Sequence, residues 1–281
     1  MQAGAFLGRS DGHDDRGAAV DHRLSRRGLL GGAGASLVAT LLGACDSAPG
    51  VTLTESPAVL PPADTALATW ELAGGFTGPG MLALRAPRLV VYGDGEAIAD
   101  AAYRARLDAD QLQSLASGLA GDLRSAGAQK KPTATPTVVD APVTKVSVWS
   151  DAGVLSFSAE ALDETKNDHL YADVLYNARD RLATVHKMVS TKAQPYLAAR
   201  VRMVAAPAED DVLDAVAWPA EVTMPAADAE GLRKADLDGD AARAVVRVLT
   251  RDLDQRGAWP AYRLVDGKLI RASWRYLLPN E

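Results

Sequence analysis

The chain holds 281 residues, 48% of them hydrophobic and 23% charged, with a formal net charge of −6, so it has ample apolar content for a sizeable core. An acidic balance without a basic cluster excludes nucleic acid as the natural partner, because phosphates call for neutralisation by Lys and Arg. A single cysteine, Cys45, excludes an intramolecular disulfide, and four histidines with no pair at ligand spacing mean that a transition-metal site would have to be mostly carboxylate.

The first 44 residues read as an export signal. Arg23, Arg26 and Arg27 form a basic start, residues 29–42 an apolar run rich in Gly and Ala, and Gly43 and Ala44 a small-residue end before Cys45. The run is shorter than the about 20 apolar residues that cross a bilayer. Arg26-Arg27, with Ser25 before and Leu29-Leu30 after, resembles the twin-arginine motif that exports folded proteins; the general secretory route is the alternative. Leu42-Gly43-Ala44-Cys45 resembles a bacterial lipobox, which implies diacylglycerol on the Cys45 thiol and cleavage before it. At ~0.8 kcal/mol per buried methylene, two acyl chains suffice for stable anchoring. Removing 1–44 takes away five basic and four acidic residues, leaving a net charge of −7. That charge repels anionic headgroups, so the acyl chains alone would hold the membrane.

Residues 45–65, with Pro49, Pro57, Pro61 and Pro62 and no periodicity, read as a flexible tether. A strand is expected over 67–72, then the loop Gly74-Gly75-Phe76-Thr77-Gly78-Pro79-Gly80 and a strand over 81–85. The runs 88–92 and 96–98 around Gly93-Asp94-Gly95 read as a hairpin. Asp108 and Gln111 are placed as a capping box for a helix carrying Leu112, Leu115, Leu119 and Leu123 on one stripe. After a Pro/Thr loop, 144–149 and 154–157 form a second hairpin. A helix over 170–189 buries Tyr171, Val174, Leu175, Ala178, Leu182, Val185 and Val189, and a strand follows over 196–204. Asp240 is expected to cap a further helix with Ala241, Ala244, Val245, Val248, Leu249 and Leu253 inward, ending near Gly257. A third hairpin turns at Asp266-Gly267, and the tail 276–281 is apolar enough to pack back.

Hairpins separated by helices, without crossover units, predict an α+β fold with antiparallel sheet. The expected organisation is a signal peptide (1–44), a lipidated Cys45 and linker (45–65), an α+β unit (66–190) and a second α+β unit (191–281) packed on it.

The most distinctive loop is the glycine-rich one. It lacks the Lys-Ser/Thr of a phosphate loop, and no helix is expected after it, so the dinucleotide fingerprint fails and no cofactor is expected. Two readings stand: a glycine-permitted bend with Phe76 tucked inward, or an exposed recognition loop in which Gly74, Gly75, Phe76, Thr77 and Gly78 present Phe76 as an anchor. Asp236-Leu237-Asp238-Gly239-Asp240 opens like a calcium loop, but Ala241 stands where Gly is required and Arg247 where a bidentate Glu belongs, so helix capping explains it better. His169 and His186 read as structural or solvated. No nucleophile elbow, Ser-x-x-Lys or His-Glu-x-x-His occurs. Acidic Glu209, Asp210, Asp211 and Asp214 read as a solvated turn, although a carboxylate pair for hydrolysis stays open.

The Gly74-Gly75-Phe76 loop, Tyr92-Gly93-Asp94-Gly95, Trp218-Pro219 and Leu277-Leu278-Pro279 together resemble a family of uncharacterised lipoproteins of high-GC Gram-positive bacteria. Over about 67–189, the order strand, Gly-Gly-Phe-x-Gly loop, strand, helix, hairpin, helix also resembles emfourin-type inhibitors of thermolysin-like metalloproteases. This chain departs by inserting the 88–98 hairpin and the Pro/Thr loop and by adding the C-terminal region. The expected function is that of a lipid-anchored, non-enzymatic binding module on the outer face of the cytoplasmic membrane. Its partner would be an envelope or secreted protein; the alternatives are a protease-inhibitor-like module, as the emfourin resemblance implies, or an envelope hydrolase or small-ligand binder using carboxylates.

Overall fold

The computed structural model describes residues 58–281 apart from 79, 193 and 209–213. The expected export signal, Arg26, Arg27, the lipobox and Cys45 lie outside the described residues. Within them the fold is α+β, built on two sheets in which all strand pairs but one are antiparallel.

The first layer takes the chain in the order β1 (Ala66–Gly74), the single-turn helix α1 (Met81–Leu84), β2 (Leu89–Tyr92), β3 (Glu96–Ala99), β4 (Tyr103–Arg106), α2 (Ala109–Arg124), β5 (Pro142–Ser150), β6 (Gly153–Glu160), α3 (Asp173–Lys192) and β7 (Gln194–Pro195). Its sheet runs β6-β5-β1-β2-β3-β4-β7, with β1 bonded on both sides. The two-residue period of a strand sends alternate side chains to opposite faces. Ala68, Trp70, Leu89, Val91, Val146 and Val148 accordingly join one core with Leu119 of α2 and Leu182 of α3. On the other face of β1 and β5, Thr69 and Ser147 bond each other through their hydroxyls at 2.6 Å. The start of α2 follows the capping-box logic. The Asp108 carboxylate accepts from the Gln111 N–H at 2.8 Å, and the Gln111 side chain accepts from the Asp108 N–H at 3.1 Å.

The second layer comprises β8 (Val201–Pro207), β9 (Val216–Ala217), β10 (Arg233–Leu237), α4 (Gly239–Arg256), β11 (Ala261–Arg263) and β12 (Leu269–Tyr276), with sheet order β10-β8-β12-β11-β9. Val245, Val248 and Leu249 of α4 pack on Val201, Met203 and Ile270. A third cluster lies on the far face of β2 and β3, where Val90, Tyr92 and Ile98 meet Tyr196 and Leu278. The tail therefore does pack back, and it is held there: Tyr92 donates to the Asn280 side chain at 2.9 Å and Tyr196 to the Leu277 carbonyl at 2.8 Å. Burial pushes the Tyr196 phenol up to about 12, so both tyrosines stay donors.

Several expectations need correction. Residues 81–84 form a helical turn rather than a strand, because Gly80 closes against the second layer and turns the chain there. The strand expected over 196–204 begins at Val201, and β4 went unread because Ala105 is its one buried residue. The N-cap of α4 is Asp238 rather than Asp240, and its side chain makes no capping hydrogen bond, so the capping expected of the 236–240 run is not made. With that start the inward face rotates: Ala242 is buried and Ala241 exposed. Of the expected linker, residues 58–65 lie against the domain. Ala58 and Leu60 pack on the first core, and the Gln113 side chain donates to the Ala58 carbonyl at 3.1 Å.

Candidate partner-binding loop and adjoining groove

The strand β1 ends where Gly74 and Gly75 take φ of 66° and 81°, a region that costs other residues about 1–2 kcal/mol. The left-handed pair turns the chain out of the sheet, and the next N–H, that of Phe76, donates to the Asp140 carbonyl at 3.1 Å. Arg85, at the end of α1, reaches back and donates to the carbonyls of Leu72 (3.2 Å) and Gly74 (2.7 Å). Gly80 is wedged against the second layer: a Cβ there would stand 3.0–3.2 Å from Val204, Leu232 and Ala206. Arg275 of β12 completes the brace by donating to the Leu84 carbonyl at 2.8 Å.

Every anchor holds backbone, and none holds the Phe76 ring. Phe76 is 90% exposed, so the ring points outward and is not tucked inward. Met81 and Leu82 of α1 are exposed a few residues further on, so the β1–β2 connection displays three large apolar side chains. Thr77 is half-buried and Gly78 exposed, with the Gly78 carbonyl accepting from the Met81 N–H at 3.2 Å.

Beside Phe76 opens a groove of about 410 Å³ whose walls include Leu72, Arg85, Arg88, Asp100 and Asp140. Its charged wall is a network. Arg88 pairs with Asp100 at 3.0 Å, and the other Asp100 oxygen meets His186 Nε2 at 2.7 Å. Arg88 also stacks over Trp70, 5.7 Å from the ring centre, and Trp70 meets His186 edge-on at 5.8 Å. Asp100 and Ala101 both take positive φ (53° and 51°), the geometry of the tight turn joining β3 to β4. That turn aims the Asp100 carboxylate back between Arg88 and His186. His186 therefore meets a carboxylate rather than a helix end. His169 is solvent-exposed beside Asp173, at 3.2 Å.

No family model, curated protein or solved structure matches this chain.

The remaining motifs fall into structural roles. Asp94 bends the β2–β3 turn; the Glu96 N–H, then Arg106, hold its carboxyl below the usual range. Asp236 of the calcium look-alike is taken by Arg202 across the β8–β10 ladder, through bonds of 2.7 and 2.8 Å, and that pairing lowers its carboxyl. Among the described residues no three acidic, His or Cys side chains converge on a metal-sized site. Glu209, Asp210 and Asp211 lie outside the described residues, and the Asp214 carbonyl accepts from Arg256 at 2.7 Å.

The residues that sequence reasoning missed are Arg85, Arg88 and Asp100. One clue was available for two of them: a hairpin centred on Asp94-Gly95 that pairs Leu89 with Ala99 places Arg88 and Asp100 side by side at its open end.

Proposed function

We propose that this protein is an exported lipoprotein, anchored through diacylglycerol on Cys45. In this reading it is a non-enzymatic binding module on the extracytoplasmic face, and it docks an envelope or secreted protein on the Phe76 loop. The observation that carries the binding reading is a fully displayed aromatic ring on a backbone fixed from three sides. Aromatic side chains are the commonest anchors of protein interfaces, and fixing them before binding lowers the ordering cost of association. The groove beside the ring supplies two arginines and two aspartates as polar rim.

The test is capture from envelope and culture fluid by residues 46–281 immobilised on a surface, beside a Phe76→Ala control. A single dominant protein lost in the control, with the far-ultraviolet spectrum of the variant unchanged, upholds the reading. Equal retention by both forms refutes the loop as the binding element. Anchoring is tested apart from this: Cys45→Ala should move the protein from the membrane fraction to the soluble one, and an unchanged membrane fraction would end the lipoprotein assignment.

A further inference from the structure

The two sheets have four edges, and three of them are blunted. The strand β7 is two residues long and ends in Pro195, and β9 is also two residues long. The edge strand β10 carries Arg233, Lys234 and Asp236. Short strands, proline and edge charges are the devices by which native sheets refuse a further strand. The fourth edge, β6, has none of them. It is eight residues long, Gly-Val-Leu-Ser-Phe-Ser-Ala-Glu, with no proline and no charge before Glu160.

Its ladder with β5 settles which groups face outward. The pairs run from Val143↔Glu160 to Ser150↔Gly153, and the Ala161 N–H donates to the Pro142 carbonyl at 3.0 Å. Bonded and non-bonded pairs alternate in an antiparallel ladder, so Ala159, Phe157 and Leu155 bond to β5, while Val154, Ser156, Ser158 and Glu160 point their main-chain groups away from it. Glu160 confirms the parity: its carbonyl accepts from Tyr171 at 2.7 Å. Among the described residues, the N–H and carbonyl groups of Val154, Ser156 and Ser158 have no protein partner.

We propose that β6 is the interface through which two copies of this chain join, edge to edge and antiparallel, about a two-fold axis at Ser156. In that register Val154 lies opposite the partner's Ser158 and Ser156 opposite its own counterpart, so the three orphan N–H groups of each copy meet the three orphan carbonyls of the other. Leu155 then faces the partner's Phe157 across a non-bonded pair, where side chains stand closest. Both residues are half-exposed on the flank of the first core, and this pairing covers them. Charge fits as well. Glu160, the strand's one ionised side chain, comes opposite Ala152 of the other copy, and neighbouring Asp151 is already neutralised by Arg124 at 2.6 Å. No like charges oppose each other along the seam. In this register the strand pairs its orphan groups and its apolar flank with those of its own copy and opposes no like charges, and an isologous pair closes without propagating.

The test is disulfide trapping of the full-length chain carrying Ser156→Cys under mild oxidation, with Lys145→Cys, one strand inward on the same face, as control. Cys45 is the one natural cysteine, and the control also reports any link through it. A product of twice the chain mass with Ser156→Cys and none with Lys145→Cys is the expected result. Monomer alone, or an adduct with a different protein, overturns the proposal. Sedimentation of the full-length chain in detergent gives a second reading. The unmodified protein should shift from monomer to dimer with concentration, and Ser156→Lys, which sets two ammonium groups opposite each other, should weaken the dimer at least tenfold while the circular dichroism stays unchanged. Equal dimerisation of Ser156→Lys and the unmodified protein would refute the seam.

Discussion

The two layers bury different things under their helices. The first closes α2 and α3 over a core made of aliphatic and aromatic side chains, and the buried polar groups beside it are the hydroxyls of Thr144, Ser150 and Thr165. The second, with a single helix, hides two charges: Asp252 on α4 at 5% exposure and Arg275 on β12 at 9%. Asp252 accepts from Tyr262 at 2.8 Å and from Arg251 at 2.8 Å. Arg275 grips the Glu281 carboxylate through two bonds of 2.6 Å. A smaller sheet with one covering helix has less apolar area to bury, and directional polar contacts fix what packing alone would leave loose. Removing one partner of a buried pair strands the other, so such contacts are costly to break even where their net contribution is small. The first layer should therefore fail by losing volume, and the second by losing partners.

Truncation in the first core separates these modes most sharply. Leu182, fully buried against the sheet, should cost about 3 kcal/mol as Leu182→Ala, read from the denaturant midpoint. In the second layer Tyr262→Phe removes almost no volume yet deprives buried Asp252 of a donor, and should cost about 1.5 kcal/mol. A loss under a few tenths would mean that Arg251 satisfies Asp252 alone.

Acid should widen the contrast. Burial pushes the Glu281 carboxyl up, but the bonds from Arg275 and from the Leu278 N–H outweigh it, so the group sits below its ordinary 4.5. Asp236 sits below its ordinary 3.8 because of Arg202. Both bind a proton less readily folded than unfolded. The stability they contribute is complete above those ordinary values and drains away as pH falls through the lower folded ones. Amide exchange followed downward from pH 5 should show the β8–β10 and β12 protons losing protection before those of β1 and β5. Glu281→Gln should flatten that difference, and simultaneous loss in both layers would contradict it. The smallest effect belongs to Phe76→Ala. The ring buries almost nothing, so the midpoint should move by less than about 0.5 kcal/mol, and a larger shift would mean that the ring supports the loop rather than being displayed by it.

Where the sequence carried its own local chemistry, it could be read directly. The Asp108–Gln111 capping box, the Asp94-Gly95 and Asp266-Gly267 turns and the leucine stripe of α2 each act within a few residues, and each was legible. Features decided from across the fold were not. The apolar run Met81-Leu82-Ala83-Leu84 looks like a strand, and only the seating of Gly80 on Val204 and Ala206 turns it into a helix. Asp252 occupies a position on α4 that reads as polar surface, and Tyr262, ten residues on, gives it a reason to be inside. The direction of Phe76 was equally open in the sequence, because its anchors, Asp140 and Arg275, arrive from distant segments. His186 meets the Asp100 carboxylate only because α3 brings it to the turn between β3 and β4.

One further consequence follows from the position of β1. Its first residue follows the segment that leads from Cys45, and its last leads into the Phe76 loop. Nine residues put about 27 Å between those ends. If a bound partner is dragged by flow or by a moving envelope, tension enters at one end of this strand and leaves at the other. The strand is already extended and has no slack to give up. Its neighbours β2 and β5 are not peeled from it, because the pull runs along its axis. Under the anchoring and docking proposed above, β1 would act as a short, stiff link between the tether and the Phe76 loop, with the Ala58 and Leu60 contacts sharing the load at its start and Arg85 at its end.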